Sequence, residues 1–390
     1  MIITASALSI LFMREYDYIV IGGGIIGLSV ANEILEQEPH SRLLIIEKEA
    51  DVGFGQTGNN SGVLHSGIYY NPKSLKSKLC VQGKLLWEEY CKTHKLPLEN
   101  TGKLIVASQA SELKELERLR NNARSINLSI EYWDAKKIDE VGGNGKSGIY
   151  IPSTKSIDFR LALHSLKTNI LEKGAQILFR EEVDRLEKNV VRTKSGIHFK
   201  ANNVVVSTGI NVDTLVPNKK YFMFGFTGVY FKSEKLRNSN VLIYPAPNPT
   251  LPFLGIHTCK GDKNIEYFGP SAVPSFRNTP ISFRGGPYFL RLGWYRLLFK
   301  YWKVGLKEII TWLFTSSFKR QIKKVVNYRI KKLIRGFSGT RAQCISSKGD
   351  LVDDFVIEKK GEILTLRNVP SPAATSALAI AKHIYSKYYA

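Results

Sequence analysis

From Tyr18 onward the chain alternates short apolar runs with stretches of helical spacing. Tyr18–Ile21 is rich in β-branched residues and reads as a buried strand. Leu28–Leu35 follows with apolar residues at helical spacing, and Leu43–Ile46 is a second apolar run that ends at Glu47. Val204–Val206 reads as a buried strand leading into Thr208-Gly209, with Asp213 placed at a helix start. Ser111–Ile126 has the pattern of an exposed, charged helix. Phe222–Lys232 and Val241–His257 read as sheet, within which Pro252–Ile256 is a strand-like run ended by His257. Ala377–Tyr385 is an apolar-periodic helix. Strands and helices that alternate in this way predict an α/β fold.

The turn between the first strand and the first helix is Gly22-Gly-Gly24-Ile-Ile-Gly27. Each glycine of this spacing has a physical task. Gly22 permits the tight turn, Gly24 lets a pyrophosphate approach the backbone, and Gly27 lets the helix pack close to the strand. The helix start offers free N–H groups and partial positive charge to phosphates. Glu47 stands where an acid accepts hydrogen bonds from ribose hydroxyls. The order strand, glycine turn, helix, strand, acid predicts a Rossmann-like dinucleotide-binding domain. Its place at the start of the chain, and the later strand ending in Thr208-Gly209, favour FAD over NAD. The expected cofactor contacts are Gly22, Gly24, Gly27, Glu47, Lys48, Thr57, Ser61, Gly62, Val183, Thr208, Gly209, Ser371 and Thr375. Ser371 and Thr375 precede or open the last helix, whose N–H groups are placed to face the flavin. No residue marks a covalent flavin link, so non-covalent FAD is expected.

Longer motifs follow. They are Gln56-Thr-Gly-Asn-Asn-Ser-Gly-Val-Leu-His-Ser-Gly-Ile-Tyr-Tyr70, Ser74-Leu-Lys-Ser-Lys-Leu-Cys80, Thr101-Gly-Lys-Leu-Ile-Val-Ala107, Ile243-Tyr-Pro-Ala-Pro247, Gly339-Thr-Arg-Ala-Gln343, Leu351-Val-Asp-Asp-Phe355 and Asn368-Val-Pro-Ser-Pro-Ala-Ala-Thr-Ser376. In this order they resemble the L-2-hydroxyglutarate oxidase/dehydrogenase family, within the D-amino-acid-oxidase-like superfamily. The resemblance implies a glutathione-reductase-type FAD domain beside a mixed-sheet substrate domain. It also implies oxidation of a 2-hydroxy acid, L-2-hydroxyglutarate, to the 2-oxo acid by hydride transfer to flavin N5. Three positions depart from the family pattern: Asn59 stands for the usual His, Thr227 for an Arg and Phe159 for a Tyr. Loss of an Arg removes a planar bidentate grip on carboxylate, so selectivity is expected to differ from a strict L-2-hydroxyglutarate enzyme.

Such chemistry asks for a base, commonly His, and for cations or hydroxyls that hold carboxylate. His65, His257 and Arg341 are the catalytic candidates. Tyr70, Tyr244 and again Arg341 are the candidates for substrate binding. Each has a plain alternative: a backbone-satisfied histidine, a structural ion pair, a core tyrosine. The remaining histidines lie in polar or helical contexts and read as surface residues.

Charge adds one further feature. Between Arg277 and Arg335 lie fifteen Lys/Arg and one acid, Glu308, so 15 − 1 = +14 of the chain's +22 sits in one basic-aromatic stretch. Trp294-Tyr295, Tyr301-Trp302 and Trp312 interleave with it, which suits an anionic membrane surface and a lipid quinone as electron acceptor. A solvated helical face is the simpler reading. Nucleic acid is the weaker one, because no recognition motif accompanies the charge. Nowhere do 18 uncharged apolar residues run together. The four cysteines form no C-x-x-C pair, and no metal site is expected. These features predict a cytoplasmic protein, peripheral on the membrane. Met1–Phe12 reads as a short extension, or Met13 as the true start. The expected FAD domain is 14–75, 155–215 and 336–390, and the substrate domain is 76–154 and 216–335, including the basic segment 277–335. Three functions remain open: a 2-hydroxy acid dehydrogenase, another flavin oxidase or dehydrogenase acting on an amino acid or other hydroxy compound, and a membrane- or nucleic-acid-binding protein on a flavin-fold scaffold.

Overall fold

A computed structural model describes residues 14–248, 254–261, 264–276, 279–280 and 287–390. The expectations for Met1–Met13, for Pro252 and Phe253, and for Arg277, Phe283 and Arg284 lie outside the described residues.

The first apolar runs form the centre of an eight-stranded sheet. Arg14–Ile21 lies parallel to Leu43–Ile46 on one side and to His198–Val206 on the other. Gln176–Leu178 and Ile363–Asn368 extend the parallel array, and the segments Val183–Glu187, Val190–Thr193 and Val356–Lys360 add antiparallel strands. Ile19–Ile21 and Leu43–Ile46 are buried on both faces, as a helix-covered parallel sheet requires. On one face pack the helices Ile25–Gln37, Leu75–Thr93, Phe159–Glu172 and Ala373–Tyr388. The opposite face is covered by Val212, Leu215, Met223, Ala342 and Cys344. The α/β class expected from the sequence holds.

Close backbone approaches set the helix positions. A Cβ at Gly27 would lie 2.1 Å from the Gly22 carbonyl oxygen and 2.6 Å from Ser207 Oγ. Gly22 has φ +108°, a conformation that favours glycine. At the other end of the chain, a Cβ at Gly83 would lie 2.2 Å from the Thr375 carbonyl oxygen. Trp87 Nε1 donates to the Ala374 carbonyl at 2.8 Å. The last helix therefore seats tightly on Leu75–Thr93.

The other half is built on Tyr221–Glu234, which pairs antiparallel with Ile334–Ser346 along almost its whole length. Ile265–Gly269, His257–Lys260 and Val273–Pro274 complete that sheet. A four-stranded sheet contains Leu242–Pro245, Lys103–Ala107, Ser147–Ile151 and Glu131–Asp134. A small sheet of Val63–Leu64, Lys155–Ile157 and Leu98–Asn100 joins the halves. Residues 336–346 pair with Tyr221–Glu234, while Ala342 and Cys344 pack against the eight-stranded sheet. Val241–His257 is not one sheet segment: Leu242–Pro245 and His257–Lys260 lie in different sheets, and Leu254–Ile256 is not strand. His257 therefore opens a strand instead of ending one, because its pairing partner Gly269 lies at the end of Ile265–Gly269. The charged helix expected at Ser111–Ile126 is present as Ala110–Ser125.

The contact at Gly27 predicts that Gly27→Ala forces helix and strand apart, at a cost of about 1–3 kcal/mol for overpacking. Thermal melting should move down. An unchanged melting temperature would show that the helix yields freely.

Candidate active site

The glycine turn opens onto a cavity of about 550 Å³. Its wall includes Gly22, Gly24, Glu47, Lys48, Thr57, Val183, Thr208 and Gly209. The Glu47 carboxylate is held on both oxygens: it accepts from Gly23 N at 2.6 Å and from Glu49 N at 2.9 Å. Each oxygen keeps lone-pair capacity for a ribose hydroxyl. Lys48 is exposed and pairs with Glu49 at 3.2 Å. Thr57 Oγ1 accepts from Ile25 N at 3.1 Å, so it occupies one N–H of the helix start. The space at Gly24 is open, with only Thr57 Oγ1 within 4 Å of where a Cβ would stand. Thr208 Oγ1 is buried with no hydrogen-bond partner among the described residues. A cavity of this size, with a glycine cradle, a fixed carboxylate and an unsatisfied hydroxyl, fits the dinucleotide expected from the sequence.

A smaller cavity of about 160 Å³ shares Ile25, Gln56, Thr57, Asn59 and Gly339 with the first. Its wall brings together Ser61, His65, Lys76, Tyr230, Arg341, Ser371 and Thr375. The sequence placed five of these at the site; Lys76 and Tyr230 it did not. Thr375 is not a free ligand. Its hydroxyl accepts from His65 N at 3.1 Å and donates to the Val63 carbonyl at 3.2 Å. It thus ties the last helix to the strand Val63–Leu64 and to His65 just after it. Lys76 is committed to Asp353 at 2.8 Å and lies 4.5 Å from the Tyr70 ring centre. Tyr70 interacts with Ser371, and Arg341 with Tyr230, which also stacks on Phe337 at 4.4 Å.

His65 is buried, and its Nδ1 has no hydrogen-bond partner among the described residues. Burial first, then the charges of Lys103, His257, Arg341 and Lys76, hold its pKa well below the usual imidazole value. His257 is also buried. Its Nδ1 donates to the Gly255 carbonyl at 2.8 Å, so in the neutral ring the lone pair is on Nε2. Burial pushes His257 down to about 3 against the raising effect of that hydrogen bond, with Arg341 and Lys103 adding to the fall. The Tyr244 ring stacks on His257 with centres 3.8 Å apart.

The charge of Lys103, a residue the sequence analysis does not single out, acts on both histidines. Its motif was read only as part of a family pattern, although a lone cation opening the apolar strand Lys103–Ala107 was a legible signal. Gly62 and Gly27 lie outside both cavity walls and act on the backbone: Gly62 has φ +69°, and a Cβ there would meet the Ile157 carbonyl oxygen at 2.7 Å. Tyr70 and Tyr244 also lie outside the smaller wall. Thr227 pairs with Thr340, with hydroxyls 3.5 Å apart. Asn59 and Phe159 line the smaller cavity.

The profile of the family described as FAD dependent oxidoreductase matches residues 17–386. L-2-hydroxyglutarate dehydrogenase of Escherichia coli K12 is 32% identical over 391 residues, covering 95% of this chain and 93% of that protein. The mitochondrial L-2-hydroxyglutarate dehydrogenase of Bos taurus is 33% identical, covering 94% of this chain and 87% of that protein. Among solved structures, the FAD-bound L-α-glycerophosphate oxidase of Mycoplasma pneumoniae superposes with a TM-score of 0.74 at 20% identity, covering 95% of this chain and 94% of that one. Glycine oxidase of Geobacillus kaustophilus gives 0.70 at 16% identity, covering 96% and 94%.

If Glu47 receives the ribose hydroxyls, Glu47→Ala loses a charge-assisted contact of about 1.5–3 kcal/mol, or one to two decades of FAD affinity. Fluorescence titration of the apoprotein with FAD measures this. An unchanged dissociation constant would remove the ribose assignment.

Proposed function

Since this chain belongs to the FAD-dependent oxidoreductase family, we propose that it oxidises L-2-hydroxyglutarate to 2-oxoglutarate. One observation carries the reading: His65 and Arg341 line the same small cavity, which adjoins the dinucleotide cavity. Both relatives named above act, by their names, on this 2-hydroxy acid. Bound FAD supplies the two-electron acceptor for the hydride that leaves the alcohol carbon.

The chain's own residues do the rest. Arg341 offers its guanidinium to a substrate carboxylate and turns the alcohol carbon toward the dinucleotide cavity. His65, neutral because it is buried, takes the hydroxyl proton as the carbonyl forms. Thr375 holds the His65 backbone in place. Tyr230 fixes Arg341 from the neighbouring strand. The expected difference in selectivity from Thr227 stays part of this proposal, because Thr227 abuts Thr340 on the wall of both cavities.

Anaerobic flavin bleaching with a panel of 2-hydroxy acids, amino acids and glycerol phosphate tests the activity. L-2-hydroxyglutarate should bleach fastest. His65→Gln should slow bleaching by roughly 10²-fold or more. The pH profile follows from burial. A base whose pKa is lowered keeps its proton-accepting form as pH falls, so the rate should show no His65 limb near 6.5 and decline only at lower pH. A limb near 6.5 that vanishes in His65→Gln would contradict this assignment.

We also propose that the basic segment docks on an anionic bilayer. Among the described residues no helix is long and apolar enough to cross a membrane. The helix Leu292–Leu313 buries Trp294, Leu297 and Thr311 against the protein. It leaves Tyr295, Phe299, Trp302, Leu306, Ile310 and Leu313 exposed, Phe299 at 85%. Arg296, Lys300, Lys303 and Lys307 lie among them. Glu308, the segment's one acid, is turned to the Ala272 N–H at 2.9 Å, so the outer face is left basic. An apolar stripe edged by cations suits the interfacial plane of a bilayer. A protein held there is placed to pass its two electrons to a lipid quinone. Vesicle co-sedimentation should need anionic lipid and weaken with salt. It should fall when Arg296, Lys300, Lys303 and Lys307 become Gln, each cation contributing about 1 kcal/mol. Equal recovery in the supernatant with and without anionic vesicles at low salt would sink the docking idea.

A further inference from the structure

The substrate proposed above has two carboxylates, and Arg341 accounts for one. The structure contains a second buried cation. Lys103 is 0% exposed, and its Nζ has no hydrogen-bond partner among the described residues. No carboxylate pairs with it there. Its ammonium lies 4.6 Å from the Tyr69 ring centre and 4.8 Å from that of Tyr244. An ammonium taken out of water without a counter-ion is costly, and aromatic faces compensate only in part.

The groups around it share the same defect. The hydroxyls of Tyr69 and Tyr244 and the Nδ1 of His65 are each buried with no hydrogen-bond partner among the described residues. One unsatisfied buried polar atom is a tolerable local cost. Four in one cluster, all able to donate, describe a site built for an acceptor. These residues come from three places in the chain. Lys103 opens one strand of the four-stranded sheet and Tyr244 lies in the strand parallel to it, where Leu242 pairs with Lys103. Tyr69 and His65 belong to the segment after the small joining sheet. His257, stacked on Tyr244, closes one side.

His65 links the cluster to Arg341: it lines the small cavity together with Arg341, and Tyr69 follows it four residues later in the chain. Lys103 and Arg341 both act on His65, and both act on His257. Burial lowers Lys103 to about 7, so at neutral pH it is poised to hold a proton firmly only when an anion arrives.

We propose that Lys103, with the hydroxyls of Tyr69 and Tyr244, forms a second carboxylate subsite, so that a dicarboxylate spans from Arg341 to Lys103 past His65. Lys103 thereby sets selectivity for a dicarboxylic over a monocarboxylic hydroxy acid. It supplies the second cation in a chain where Thr227 provides none. The inference rests on the proposed activity for the identity of the substrate, but its test does not.

The probes are glutarate, which has both carboxylates and no oxidisable hydroxyl, and butyrate, which has one. Each is titrated into FAD-loaded protein and followed by calorimetry and by the flavin absorbance. Wild type should bind glutarate more tightly than butyrate. Lys103→Met, of similar volume, should weaken glutarate by about 10- to 100-fold, the usual loss for a charged hydrogen bond, and leave butyrate nearly unchanged. Without ligand, Lys103→Met should melt higher than wild type, because an uncompensated buried charge has gone; a lysine kept for structure would give a lower melting temperature. Tyr244→Phe, which keeps the ring stack, should weaken glutarate several-fold with little change in melting, and it decides the matter if the lysine variant does not fold. Glutarate affinity unchanged in these variants, or a wild type that binds glutarate no better than butyrate, overturns the subsite. Failure of L-2-hydroxyglutarate to bleach the wild-type flavin instead overturns the proposed activity, and the glutarate comparison still reads Lys103 on its own.

Discussion

The contact between Gly27 and the carbonyl of Gly22 is the constraint on which the rest of the molecule depends. With 2.1 Å between that oxygen and the place of a Cβ, any side chain would push the first helix off the first strand. Because glycine is there, the helix start sits directly over the strand ends. Ser207 Oγ then bonds the Ile21 and Gly22 carbonyls and locks the returning strand to the same point. Glu47, at the end of the next strand, reaches back to Gly23 N. Three segments far apart in sequence thus converge on one turn, and the larger cavity is the space they leave.

The smaller cavity depends on a second tie of the same kind. Thr375 joins the last helix to the short strand at Val63–Leu64 through both of its hydroxyl's hydrogen-bonding roles. Gly83 and Trp87 seat that helix from below. His65 is fixed by its backbone, which leaves its ring free of structural duty. Backbone hydrogen bonds hold the residue, and its Nδ1 has no partner among the described residues. The Lys103 cluster extends that logic, because it accepts the cost of several unsatisfied buried groups in one place. Proteins carry such costs where a ligand repays them.

The exposed apolar helix is a different kind of exception. On Leu292–Leu313 apolar residues occupy both faces, and only one face has a partner within the described chain. The acid that would have softened its charge is turned inward to Ala272. Exposure and charge on this helix are the observations that support the proposed docking on an anionic bilayer.

Much was legible in the sequence wherever the signal was local. The glycine spacing, the apolar runs at Tyr18–Ile21 and Leu43–Ile46 and the acid at Glu47 determined the strand-turn-helix-strand unit, because close packing and φ values are set within a few residues of one another. The basic segment was legible because charge is counted, not folded. Val241–His257 departs from its sequence pattern because its pairing partners are distant: Leu242–Pro245 and His257–Lys260 enter separate sheets. His65 and Arg341 could be named from residue type and context, but not the fact that they share a wall. Lys103 was passed over because a lysine's meaning depends on whether water or an acid can reach it. Burial and the lack of a partner are properties of what several strands exclude together. Only the tertiary structure could decide them, since the groups that surround Lys103 come from segments that no local pattern connects.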